Sequence, residues 1–468
     1  MTFRGPYADG PSPADLEIVS PRLDRLAWKD PARLVVVFFA LFWHTVRRLA
    51  LWAARRGEKD WRDGAAHGVV DAFEALGPTY VKLGQVVASS PGIFPQQLAD
   101  AALRCLDEVP PIAGAEVRRI LAEDLGGRPE DLFAAFDDAP LSAASIGQVH
   151  ACRLPDGRDA VVKVQRPGIA ALMATDLRVA YFFARRLERI SKVMRAARPS
   201  AMIEDLHSVT FQELNSALEA KRQHDFLQRL HSFGDNEGVT APEVYWDYCG
   251  PRVICMQRMY GIPLDAIDAS ASGAREIDGP DLLRRGVKAW VEAALVHGVF
   301  HGDVHAGNLW MLDDGRICYL DFGIMGELHG PWQELMKDMF YTGMFDADFG
   351  RMVPHYRSLG IIPEGTGTDA EIAMRLQLVF GPLLKSGMAG ISIGKTITML
   401  LDMAKQYDAE SPRELVLISK QLLYFERYSK NLAPNWVLFA DKSIARNVFP
   451  EAVAAAEAKE AEAAKAAE

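Results

Sequence analysis

Positive charge is in short supply in this sequence: 52 Lys and Arg face 62 Asp and Glu, for a formal net charge of -10. That balance argues against general nucleic-acid binding, which works through a basic face. Cysteine is scarce as well. The five present (Cys105, Cys152, Cys249, Cys255 and Cys318) form no CxxC pair and no zinc-like spacing, so free thiols in a reducing compartment are expected. The opening residues, MTFRGPYADG, lack the charged-then-apolar pattern of a secretion signal. Long apolar runs are also missing. The strongest, LVVVFFALFW from Leu34 to Trp43, is interrupted by His44, Arg47 and Arg48, short of the roughly 20 residues a spanning helix needs. It continues as HTVRRLALWAARR, and two readings stay open. One is an interfacial helix, with aromatic groups in the acyl boundary and Arg at the phosphates. The other is a buried helix packed on the main domain. The expectation is a cytoplasmic chain, peripheral on a membrane at most, with no spanning helix.

What the chain does have is room and apolar content for a sizeable core: 468 residues, 49% apolar and 24% charged. Residues 1–30, rich in Pro, Asp and Gly, read as loosely ordered. Residues 31–135 read as helices broken at Gly77-Pro78, Pro91, Pro95 and Pro110-Pro111. The strand-like runs Ser145 to Arg153 and Arg158 to Gln165 then flank LPDG, a hairpin signal at Asp156-Gly157. Helices follow over 170–195 and 201–231, a strand around Val253 to Met256, and a long helix over 281–297. NLWML, DDG and RICYL spell a second hairpin, and residues 330–447 read as mostly helical. The tail EAVAAAEAKEAEAAKAAE is low in complexity and reads as solvated and partly helical.

The densest chemistry lies in FHGDVHAGNLWMLDDGRICYLDFG, residues 300–323. Asp303 and Asn308 are five apart, Asp321 follows thirteen later, and the hairpin between carries them to one edge. Two carboxylates and an amide suit Mg²⁺, which takes hard oxygen ligands. Phosphoryl transfer needs such an ion on the phosphates and a carboxylate near the attacking hydroxyl. The spacing matches a kinase catalytic loop and DFG element. A rival reading takes His301, Asp303 and His305 as a transition-metal site, but leaves Asn308 and Asp321 unexplained. His301 itself is better read as bracing the loop backbone. In DAVVKVQRP, residues 159–167, Lys163 sits in a Val-rich strand. A lysine there either points outward or meets an anion, and kinase-like folds use it to hold the α- and β-phosphates of ATP. Its carboxylate partner would come from the helix at 201–231. Glu213 and Glu219 lie roughly 120° apart around that axis, so they face different partners. LSAASIGQVH, residues 141–150, occupies the place of a Gly-rich phosphate loop without most of its glycines. AGISIGKT, residues 389–396, nearly spells a P-loop, but its first glycine is Ala389 and no clear strand precedes it. It reads as a helix or loop segment.

Over roughly residues 65–445 the sequence resembles the UbiB/AarF family of atypical kinases, which includes coenzyme Q kinase-like proteins of mitochondria and chloroplasts. Tyr80-Val81-Lys82-Leu83-Gly84-Gln85 is similar to the family's KxGQ signature. Ser142-Ala143-Ala144-Ser145 is similar to its alanine-rich loop, with Ser in place of the first Ala. Val162 to Pro167 matches its lysine strand, and His301-Gly302-Asp303, Gly307-Asn308 and Asp321-Phe322-Gly323 match its catalytic and metal elements. The resemblance implies an α+β, protein-kinase-like, two-lobed fold with a helical N-terminal extension. The expected division is 1–60 (loosely ordered N-terminus with the interfacial or buried helix), 61–139 (KxGQ extension), 140–262 (N-lobe), 263–447 (helical C-lobe) and 448–468 (tail). It also implies ATP and Mg²⁺ as ligands. Ala143, Ala144, Ser145, Lys163, Glu219, Met256 and Met259 would bind the nucleotide, with Met256 to Met259 forming the hinge beside adenine. Asp303 would be the catalytic-loop carboxylate, with Asn308 and Asp321 on the metal. Lys82 and Gln85 would reach over the site as regulatory elements, and Glu213 would belong to an ExD element that meets them. That element departs from the family's pattern: Asn215 stands where Asp is usual. The implied role is an ATP-dependent kinase or ATPase supporting isoprenoid quinone or other lipid metabolism at a membrane surface, its partners an anionic lipid surface or isoprenoid-lipid biosynthesis proteins. The alternatives are a nucleotide-binding regulator or scaffold with little turnover, and a conventional Ser/Thr protein kinase.

Overall fold

The computed structural model describes residues 3–54, 60–88, 94–106, 110–267, 278–363, 365–385, 399 and 413–467. The near-P-loop at 389–396 lies outside the described residues, as does Pro91. The chain divides into two compact units, Met1–Lys221 with Val244–Arg258, and Arg222–Glu243 with Met259–Glu468. Among the described residues the strands are β1 (Ala135–Ala143), β2 (Gly147–Arg153), β3 (Asp159–Gln165), β4 (Val239–Thr240), β5 (Val253–Gln257), β6 (Gly261–Pro263), β7 (Val299–His301), β8 (Leu309–Leu312), β9 (Ile317–Tyr319) and β10 (Met325–Glu327).

In the first unit, β1, β2, β3 and β5 form one antiparallel sheet in that order. The two-residue period of a strand decides its faces. Ala160, Val162 and Val164 of β3 are fully buried in the core, which puts Lys163 on the opposite face. The helix Gly114–Leu125 supplies Val117, Ile120, Leu121 and Leu125 to the same core. Strand β1 was not expected from the sequence. It is an edge strand whose register shifts around Pro140, the place where a sheet tolerates proline. Residues 3–29, expected to be loosely ordered, contain no α-helix or strand, yet their start is docked. Gly5 N–H donates to the Asp247 carbonyl at 2.8 Å, Phe3 meets Tyr248 at 5.4 Å between ring centres, and Tyr7 is buried.

The apolar N-terminal run also differs from expectation. The segment is a single helix through His44, and its arginines do not make it too short to span: Asp30–Ala54, 25 residues, is long and apolar enough by length and composition to cross a membrane. One face packs within the unit. Arg178 Nε donates to buried Asp30 at 2.6 Å, and Arg33 Nε donates to Asp176 at 2.6 Å. Burial raises the pKa of Asp176 against the pull of Arg33. Gly68, on the helix Trp61–Leu76, lets the backbones approach closely: a Cβ there would sit 2.6 Å from Thr45 Cα. The other face leaves Val35, Val36, Phe38, Phe39, Phe42, Trp43 and Val46 exposed. The predicted helix over 201–231 is two helices, Pro199–Glu213 and Ser216–Leu230. Asn215 caps the second, its Oδ1 accepting from Leu218 N–H at 2.9 Å.

The second unit holds a four-stranded sheet, β4-β9-β8-β6, and a β10–β7 pair. The β8–β9 hairpin pairs Leu309 with Tyr319. The helix Gly279–Leu295 runs through the core, with Leu283, Trp290 and Leu295 almost wholly buried. Its buried Lys288 and Glu292 neutralise each other at 2.7 Å. The helix Arg413–Leu432 adds Ile418, Phe425 and Tyr428 to that core, and the tail is helical over Pro450–Ala467.

Candidate functional site

In the first unit, Lys163 extends from β3 to Glu219 on the helix Ser216–Leu230, Nζ to Oε1 2.5 Å. Glu219 is almost completely buried, so its charge requires that partner. Glu213 takes a different lysine: Lys82 Nζ lies 2.7 and 2.5 Å from its two carboxylate oxygens. The two glutamates do face different partners, but the break at Leu214-Asn215 sets their directions, not a single helical turn count. Gln85 is not gathered with these groups; its Nε2 donates to the Cys105 carbonyl at 2.9 Å. Gly84 permits that packing, because a Cβ there would lie 2.3 Å from Cys105 Sγ.

Ala143 ends β1, and Ala144 and Ser145 form the turn into β2, closed by Ala144 N–H to the Gly147 carbonyl at 2.8 Å. Arg166, which sequence reasoning passed over, braces this turn. Its Nε donates to the Ala144 carbonyl at 3.0 Å and its Nη2 to the Pro110 carbonyl at 2.8 Å. Asn215 also has work that an aspartate could not do: its Nδ2 donates to the Asp15 carbonyl at 2.9 Å. Met256 lies on β5, half-buried, and the boundary between the two units falls between Arg258 and Met259.

In the second unit, Leu320 N–H donates to the Asn308 carbonyl at 2.8 Å, which brings Asn308 and Asp321 to the same end of the β8–β9 hairpin. Asn308 Nδ2 donates to the Asp303 carbonyl at 3.0 Å, leaving Oδ1 as the amide's oxygen donor. Asp321 adopts a left-handed backbone, φ 57°, a conformation that costs a non-glycine residue about 1–3 kcal/mol. His301 helps to hold it. This fully buried imidazole faces the Leu320 and Asp321 carbonyls with Nε2, at 3.0 and 2.9 Å, and accepts Asp303 N–H at Nδ1. The partners assign the proton to Nε2, and burial lowers the pKa, so the ring is neutral. With both nitrogens engaged, His301 is a brace rather than a metal ligand. Phe322 packs beneath it, 5.1 Å between ring centres. Among the described residues no group of three or more His, Cys, Asp or Glu side chains is assembled to hold a metal. Mg²⁺ needs no such cage, since one or two carboxylates plus phosphate and water oxygens suffice. The Asn308 and Asp321 oxygens fit that requirement.

Sequence reasoning also missed what surrounds Asp303. Lys420 Nζ is 2.8 Å from its Oδ1, and His305 Nε2 is 3.6 Å from its Oδ2. Gln421, wholly buried, accepts Val304 N–H at 2.9 Å and donates to the Gly302 carbonyl at 2.7 Å. Neither residue belongs to a recognisable motif. The available signal was a buried glutamine amid the apolar positions of SKQLL.

A strand lysine paired with a helix glutamate, together with an HGD loop joined by a hairpin to a DFG segment, defines a kinase-like protein of mixed helix and sheet. Comparison with known proteins agrees. Residues 104–356 match the ABC1 atypical kinase-like domain, and residues 376–437 match the UbiB helical domain. The chain belongs to the ABC1 (UbiB/AarF) family of atypical kinases. An uncharacterized protein of Mycobacterium tuberculosis strain H37Rv is 35% identical over 427 residues, 90% of this chain and 86% of that one. An aarF domain-containing protein kinase of Arabidopsis thaliana, chloroplastic and uncharacterized, is 32% identical over 398 residues, 80% and 73% of the two chains. A "Probable protein kinase UbiB" of Azotobacter vinelandii is 29% identical over 449 residues, 93% and 80% of the two.

Proposed function

We propose that this protein is an ATP-dependent phosphotransferase or ATPase that works at a membrane surface in support of isoprenoid quinone or other lipid metabolism. The observation that carries the reading is the Lys163–Glu219 pair, a strand lysine held ready by a buried carboxylate. Active kinases require this pair to be formed. In this reading Lys163 meets the α- and β-phosphates of ATP, and the Ala143–Ser145 turn offers backbone N–H groups to them. Met256 and Met259 flank the adenine. Mg²⁺, when bound, neutralises charge on the phosphates, and Asn308 and Asp321 are the residues that would hold it. The hydroxyl of an acceptor, or water, forms a bond to the γ-phosphorus as the bond to the bridging β–γ oxygen breaks. ADP leaves with that electron pair, and Asp303 receives the acceptor's proton. Lys82 and Gln85, on the helix Pro78–Ala88, would regulate access, with Glu213 as the anchor of Lys82.

The membrane half of the proposal rests on the exposed aromatic face of Asp30–Ala54, which suits an interface lined by anionic headgroups. The test is ATP turnover of the purified protein with Mg²⁺, with and without anionic vesicles, with Asp321→Asn as control. Turnover that rises with vesicles and vanishes in the variant supports the proposal. Mg²⁺-dependent binding without turnover would favour a nucleotide-binding regulator, and no binding would end the nucleotide-site assignment.

A further inference from the structure

We infer that Lys420 is the cation of the phosphoryl-transfer step: it holds the Asp303 carboxylate in position and neutralises charge on the transferred phosphoryl group. The inference rests on the kinase-or-ATPase reading and extends it to the UbiB helical domain, beyond the ABC1 match.

A lone exposed ion pair is worth little and has no fixed geometry. This one sits in a frame. Its helix, Arg413–Leu432, is registered to the catalytic loop by three hydrogen bonds on residues flanking Asp303. Gln421 grips the Gly302 carbonyl at 2.7 Å and the Val304 N–H at 2.9 Å, and the Tyr428 hydroxyl donates to the Val304 carbonyl at 2.9 Å. The Lys420 ammonium also lies 5.8 Å from the centre of the Tyr424 ring, one helical turn on. Gln421 and Tyr428 are buried and fix the loop; Lys420, beside them, reaches the reacting carboxylate itself at 2.8 Å.

Chemistry gives that placement its consequence. During transfer, negative charge is spread over the equatorial oxygens of the phosphoryl group, beside the carboxylate that takes the acceptor's proton. Two negative groups at that spot need a cation that remains charged throughout. Lys420 keeps its proton while the acceptor oxygen–phosphorus bond forms and ADP departs with the electron pair of the broken bond. Removing one such preorganised group from a transition state costs about 10²–10³ in turnover.

The experiment uses the full chain with Mg²⁺, ATP, water as acceptor and phosphatidylglycerol vesicles, comparing Lys420→Ala, Lys420→Met and Lys420→Arg. Affinity is read with a fluorescent ATP analogue, turnover by ADP release and folding by thermal melting. Ala and Met should keep the nucleotide Kd within about threefold while kcat falls about 100-fold. Arg should restore part of the loss, and added ethylammonium should rescue Ala but not Met, whose side chain fills the space. Unchanged kcat in Lys420→Ala overturns the inference. So does an equal loss in all three variants with lowered melting temperature and no amine rescue, since Lys420 would then be only a brace. A wild-type protein that turns over no ATP under these conditions overturns the kinase reading and this inference together. Turnover independent of Lys420 overturns this inference alone.

Discussion

The helices Asp30–Ala54 and Gly279–Leu295 are both built largely from apolar residues and finish in opposite environments. Gly279–Leu295 buries thirteen of its 17 residues, among them the charged pair Lys288 and Glu292. In Asp30–Ala54 only 6% of the most apolar window is buried, and Phe38, Phe39, Phe42 and Trp43 are exposed. Apolar content therefore does not decide burial; the neighbours do. Gly279–Leu295 runs through the core of its unit, so even its buried Lys288 and Glu292 are paired with each other. Asp30–Ala54 meets its own unit on one face only, and the rest forms an aromatic ridge of the kind that marks an interaction surface.

The contrast can be broken most forcefully from the buried side. Trp290 is 2% exposed, packs against Phe300 and Phe425, and donates to the His301 carbonyl at 3.0 Å. Trp290→Ala should cost about 3–5 kcal/mol in urea unfolding; a loss below about 1 kcal/mol would mean that this helix is not the core element described. Next comes the anchor of the exposed helix. Asp30→Ala leaves Arg178 buried without its carboxylate, and should cost about 3 kcal/mol by the same measurement. Acid acts more gently. Burial lowers the pKa of His301, and likewise of His150, His207 and His297. The unfolded chain then binds protons that the folded one refuses. The stability they contribute is present above the ordinary imidazole value of about 6.5 and is lost as pH falls below it through the lower folded values. The slope is at most about 1.4 kcal/mol per pH unit for each such group. Unfolding midpoints that stay level from pH 7.5 to 5.5 would contradict this. The smallest stability effect belongs to the ridge. Phe38→Ser with Phe42→Ser should change unfolding by about 0.5 kcal/mol or less while abolishing co-sedimentation with anionic vesicles. Unchanged sedimentation would remove the membrane role from this face.

Much of the candidate site was legible because its chemistry is local. HGD, Asn308 and DFG are joined by one hairpin, and Lys163 sits on a strand whose alternation is plain. What escaped was set by contacts distant in the chain. Lys420 is 117 residues from Asp303, and nothing in its own helix distinguishes it from a solvated lysine. The break at Leu214-Asn215 was hidden because Leu is a good helix former and Asn215 drew attention as a departure from ExD, not as a cap. Strand β1 was obscured by Pro140 and by exposure along much of its length, which blurs the alternation that reveals a strand. The apolar length of the N-terminal helix was underrated because its arginines were counted as interruptions, although Arg48 pairs with Asp71 at 2.5 Å within the same unit.

The bond from Asn215 to the Asp15 carbonyl has a practical side. Asn215 begins the helix that carries Glu219, and the same amide that caps this helix also fastens the N-terminal segment. Trimming the chain to its first helix would strip a hydrogen-bond acceptor from that amide and uncover the pocket filled by Tyr7. Tolerance to truncation follows burial and bonding rather than position. An expression variant shortened by its first two dozen residues would thus lose a strap that binds the glutamate-bearing helix to its unit.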